Sequence, residues 1–192
     1  MIRRLSPDAP GAPGLDWPVG LGRAGALSMG RGCNDRRPPG QGTPPLVDIH
    51  PQPLRFASEA QQAVAAACAR QASLTGALRA VLKETGLLAH CTLLAAAPGG
   101  PLTFRYIGVP TRRILGEEWA RGQLGRPDEE DPHQDFSASV GVQYRRAIEG
   151  GEPVLNRVFC TGVTPAPFAY THLLFGFSLP TGERAVLSCV QL

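Results

Sequence analysis

The chain has almost no lysine: Lys83 is the only one among nineteen basic residues. Aromatic residues are scarce too, at 6% of 192 positions. No apolar run approaches the ~18 uninterrupted residues that read as a membrane span. Arg3 and Arg4 stand near the start, but Pro7, Asp8, Pro10 and Gly11 follow them where an export signal needs an apolar stretch. The expected location is therefore the cytoplasm, with no membrane partner. Five cysteines occur (Cys33, Cys68, Cys91, Cys160 and Cys189), none in a C-x-x-C pair. That spacing excludes a zinc site of the usual kind and a disulfide framework, so buried reduced thiols are expected. G-x-S-x-G, a phosphate-binding Walker loop and a G-x-G-x-x-G turn after a strand are all missing. Cys160 and His172 do not make a nucleophile and base on sequence alone. The chain is read as a non-enzyme.

What is present divides into three parts. Residues 1–45 hold eight Pro, nine Gly and six Arg with few large apolar groups. Such a stretch cannot bury enough surface to offset its ordering entropy, and a disordered tail is expected. Residues 46–192 carry thirteen basic and thirteen acidic residues, so the net charge of +3 comes from the tail. With arginine so dominant over lysine, this balance reads as coding bias, and a nucleic-acid partner is not expected.

Residues 46–86 read as a lead-in broken by Pro51 and Pro53, then a helical segment. Ser58 and Gln61 have capping-box spacing. Val64, Cys68, Leu74, Leu78, Val81 and Leu82 fall on one stripe. Thr75 can restart a second helix, and Gly86 can end it. The stripe suits either pairing with a second copy of the chain or packing on the chain's own sheet.

Residues 87–192 read as strand, strand, helices, then three strands. The first strand covers 91–96. The second covers 102–108, with Leu102, Phe104 and Tyr106 expected on one face by alternation. One helix is expected over 111–123, with Glu117 and Glu118 pairing Arg121, and another over 137–149 ending at Gly150-Gly151. Between them "GRPDEEDPHQD" reads as a solvated acidic loop, since its spacing matches no calcium loop. Strands over 154–160, 168–179 and 184–192 form a meander, with a hairpin turn at Pro180-Thr181-Gly182-Glu183.

The phrases "FRYIGVPTRRILGEEWARGQLGRP", "YRRAIEGGEPV" and "HLLFGFSLPTGERAVLSCVQL", with this order of elements, resemble a PAS domain. The nearest likeness is to a single-domain PAS-like group common in alphaproteobacteria, and it covers just over half of the chain. The resemblance implies an α+β fold: a five-stranded antiparallel sheet of order 2-1-5-4-3, helices on one face and a small cavity between them. It places Tyr106, Trp119, Tyr144, Phe159, His172 and Phe175 near that cavity. Strand parity then sets Leu173, Phe175, Phe177 and Leu179 on the buried side and His172 with Tyr170 on the outer face. The cavity candidates are accordingly Tyr106, Trp119, Tyr144, Phe159 and Phe175. No cofactor is assigned. The candidate haem ligands are His133 and His172, but His133 sits in a loop amid acids, the opposite of an apolar haem slot, so haem is not expected; residues 108–126 lack the Cys and Asn of a light-sensing flavin motif.

The implied function is a non-catalytic sensory or interaction domain that signals to a protein partner, as a dimer through the N-terminal helix. A structural adaptor with a filled core is the first alternative. A small enzyme on an unrelated α+β scaffold is the second.

Overall fold

The structure, a computed structural model, describes residues 45–69, 71 and 74–192. The expected tail, apart from Pro45, and Cys33 lie outside the described residues.

The lead-in is a strand. β1 (Leu46–Gln52) pairs antiparallel with β4 (Val154–Thr161), Val47 facing Cys160 and Ile49 facing Val158. Proline at 51 does not prevent this, because an edge strand needs ladder bonds on one side only. The sheet therefore has six strands, not five. β2 (Cys91–Ala96), β3 (Thr103–Tyr106), β5 (Phe168–Ser178) and β6 (Arg184–Gln191) complete the antiparallel order β1-β4-β5-β6-β2-β3. The β5–β6 hairpin closes where expected: Leu179 N–H donates to the Glu183 carbonyl at 2.9 Å, with Gly182 at φ 87°.

α1 (Glu59–Cys68) starts at the expected capping box. Gln61 N–H donates to Ser58 Oγ, and Ser58 N–H donates to Gln61 Oε1. The Gln61 amide also donates to the Cys189 carbonyl at 3.2 Å, so one side chain both caps the helix and ties it to β6. α2 (Gly76–Glu84) is capped by Thr75 and followed by Gly86 at φ 74°, as expected.

The helices are not confined to one face. Val64, Cys68, Leu74, Leu78 and Leu82 pack on Leu93, Leu173, Phe175, Leu187 and Cys189 of one face of the sheet. The stripe that could have paired two chains is thus spent inside one, and only its Val81 is exposed. On the other face α3 (Val109–Leu115), α4 (Glu117–Gln123) and α5 (Gln134–Gly150) cover Leu94, Val158, Leu174, Val186 and Val190. β2 is buried at every position, the pattern of a strand covered on both sides.

Two local expectations change. The single helix over 111–123 breaks at Gly116, whose φ of 99° suits only glycine, and Glu117 faces Arg112 (3.7 Å) across the break rather than Arg121. In β3, two residue steps match one step of β2 between Leu93 and Leu94. This bulge reverses the alternation, so Phe104 turns to the α3–α5 side and Tyr106 to the α1–α2 side.

No described helix is long and apolar enough to cross a membrane. Cys68, Cys91, Cys160 and Cys189 are free and buried, and burial pushes the Cys68 thiol up to about 12 and that of Cys160 to about 11. Since the thiolate is the reactive form, these four should resist a maleimide at neutral pH in the folded chain and react once urea unfolds it. Mass spectrometry of the labelled protein reads the outcome; rapid labelling of Cys68 or Cys160 in the native state would contradict the packing.

Candidate ligand cavity

Between the sheet and α3–α5 lies a cavity that leaves about 40 Å3 for the centres of water-sized molecules. Its floor is Thr92 of β2, Tyr170 and His172 of β5, and Ser188 and Val190 of β6. Its roof comes from Thr111, Ile114 and Leu115 of α3, Trp119 of α4, the 128–131 turn, and Phe136, Val140 and Tyr144 of α5.

Glycine lets α3 start this close. A Cβ on Gly108 would overlap the Cys91 carbonyl oxygen and come within 2.8 Å of that of Ala89. Gly108 N–H donates to Thr92 Oγ1 (3.3 Å), and the Thr92 and Thr111 hydroxyls bond at 2.9 Å, fixing α3 to the floor.

The acidic loop is partly internal. Asp128 and Asp131 are 8% and 2% exposed, whereas Glu129 and Glu130 face solvent. Residues 128–130 form a 3-10 turn, and two side chains three apart on such a turn share a side. Asp131 Oδ1 accepts from His133 N–H at 2.8 Å and from the Trp119 indole N–H at 3.3 Å. That bond and the edge-on contact of Trp119 with Phe104 (5.7 Å) hold the indole in the wall. Burial raises the Asp128 carboxyl above its usual range, and Glu129 adds to this; backbone N–H groups and Arg145 act against it.

In the floor, His172 Nε2 lies 3.0 Å from Asn156 Nδ2, and Asn156 is fully buried on β4 beside Gln143 of α5. With the amide nitrogen turned to the ring, Nε2 is the acceptor, and Asn156 Oδ1 is left buried with no partner among the described residues. Burial lowers the His172 pKa to about 3, and the ring is neutral. Tyr170 meets the imidazole edge-on at 5.6 Å. The Tyr144 and Tyr170 phenols are both pushed up, by burial first and then by neighbouring ionisable groups, Asp128 for Tyr144 and Tyr144 for Tyr170.

A histidine neutral in the folded chain and free to protonate in the unfolded one gives a definite sign. The stabilisation is whole above about pH 6.5 and is lost as pH falls towards 3, at up to about 1.4 kcal/mol per pH unit. Urea midpoints for the native chain should fall between pH 6 and 4 more steeply than those for His172→Gln. Equal slopes would place His172 in water.

Of the candidates from sequence, Trp119 and Tyr144 line the cavity. Tyr106 packs at the edge of the α1–α2 core, Phe175 lies inside that core, and Phe159 is 42% exposed. His172, assigned to an outer face, is in the floor, because that face is covered as well. Sequence reasoning missed Asp128, Asp131, Tyr170 and Ser188. The i,i+3 spacing of the two aspartates was the one usable signal. Among the described residues no group of three or more His, Cys, Asp or Glu could hold a metal ion.

The chain matches no family model, no curated protein and no solved structure. Its function must be argued from the cavity itself. A haem or flavin ring system does not fit a space of this size, and His172 Nε2 already accepts a hydrogen bond from Asn156.

Proposed function

We propose that the chain is a PAS-like, non-catalytic sensory domain that holds a small molecule under α3–α5 and reports its presence to a protein partner. One observation carries this reading: the strands from β2 onward lie in the order β3-β2-β6-β5-β4, and their helical connections leave a small, mainly apolar cavity with a few polar groups over the sheet. Numbered from β2, that order is 2-1-5-4-3, the one the PAS resemblance implies. β1 and the α1–α2 layer are additions to that plan. A route outward is available through α5, whose Phe136, Val140 and Tyr144 line the cavity while Val142 stands half exposed on the helix's other side. A ligand that favours one setting of α5 would shift its population and so change the outer surface.

The small volume supports a second reading, a structural adaptor whose cavity holds only water. Thermal melting of the full chain against a panel of small metabolites separates the two. The sensory reading expects compounds that raise the melting temperature in the native chain but not in Val140→Trp, where the cavity is filled. No stabilising compound, with Val140→Trp melting at or above the native temperature, favours the adaptor.

A further inference from the structure

The cavity has carboxylates in its roof and no lysine or arginine in its lining. Asp131 Oδ1 takes two N–H donors, while Oδ2 has no donor among the described residues. Independently, two polar side chains of the floor more than nine-tenths buried, Tyr170 and Ser188, line the space with hydroxyls that bond to no described group. Buried polar groups are ordinarily satisfied, by water or ligand where protein is lacking. The open positions are thus acceptors above and hydroxyls below. An anion placed there would meet like charge, offset in part by Arg145, which acts on Asp128 from outside the lining, whereas a cation bearing N–H groups would be neutralised.

Resting on the sensory reading above, we propose that the cavity selects a small organic cation with several N–H donors, bound between Asp128, Asp131 and the hydroxyls of Tyr170 and Ser188. Size limits it to a few heavy atoms. The 40 Å3 available corresponds to about three waters, at roughly 10–15 Å3 each by the same measure.

Acetamidinium, acetamide and acetate have nearly the same shape and differ in charge. Each would be titrated into the full chain at constant ionic strength, following the Trp119 indole and Tyr144 signals by NMR. Acetamidinium should saturate and move both. Acetamide should bind more weakly, and acetate should move neither. Asp128→Asn should weaken acetamidinium by about tenfold or more, the usual loss for a charge-assisted hydrogen bond. Asp128 is chosen because Asp131 also holds Trp119 in place. Acetate or acetamide binding as well as acetamidinium, or an unchanged affinity in Asp128→Asn, overturns the charge assignment and leaves the sensory reading standing. If none of the three moves a cavity signal, the proposed ligand class falls. If the metabolite panel also yields nothing, the sensory reading falls with it.

Discussion

Leu174→Ala and Phe175→Ala should both be severe, lowering the unfolding free energy by about 2–5 and about 3–5 kcal/mol respectively. The two residues are neighbours on β5 and point to opposite faces. Alternation with one bare face would make only one of them costly. Here Leu174 is fully buried beneath α5, and Phe175 is packed against α1 and α2. Each truncation removes apolar contacts from a covered layer and leaves a cavity that the sheet cannot close. Urea denaturation of the two variants, at matched slopes, measures both losses. A loss under about 1 kcal/mol for Leu174→Ala, the size of a surface effect, would mean that the α3–α5 side is not a packed layer.

Gly176→Val is the second large effect, expected at about 3 kcal/mol, the upper part of the usual overpacking range. Gly176 lies on β5 where the end of α5 crosses it. A Cβ there would overlap the carbonyl of Ala147 and the nitrogen of Ile148. The obstruction is backbone, so no rotamer change relieves it, and α5 must lift from the sheet. Lifting α5 also moves Tyr144, so Trp119 and Tyr144 signals should shift even in variants that remain folded. A stability within about 0.5 kcal/mol of the native chain would show that α5 does not contact the sheet at this point.

Local chemistry was legible in the sequence where one residue decides the backbone. Ser58 and Gln61 announce the start of α1, Gly86 ends α2, Gly151 at φ 66° ends α5, and Gly182 turns the last hairpin. These features depend on neighbours within a few positions. What failed depends on partners far along the chain. β1 was hidden by Pro51, because nothing nearby says that β4 lies alongside to accept an edge strand. Coverage of both faces has a signal in the nearly unbroken apolar runs "CTLLAA" and "AVLSCV", which are buried throughout, but alternation in β5 points to one buried face only. The same error sent His172 outside. Tyr106 was misplaced by one inserted residue in β3, which no propensity marks. Asp128 and Asp131 were lost among exposed acids of the same segment, since composition cannot tell which carboxylates a turn points inward.

The small cavity under α3–α5, mainly apolar with a few hydroxyls and carboxylates in its lining, is central to the proposed function. A crystal structure of the full chain, at a resolution that shows ordered water, tests this most directly. It should place water or a small molecule against the hydroxyls of Tyr144, Tyr170 and Ser188 and the carboxylates of Asp128 and Asp131. Side chains closed over that space, with the three hydroxyls bonded to one another or to the backbone, would contradict it.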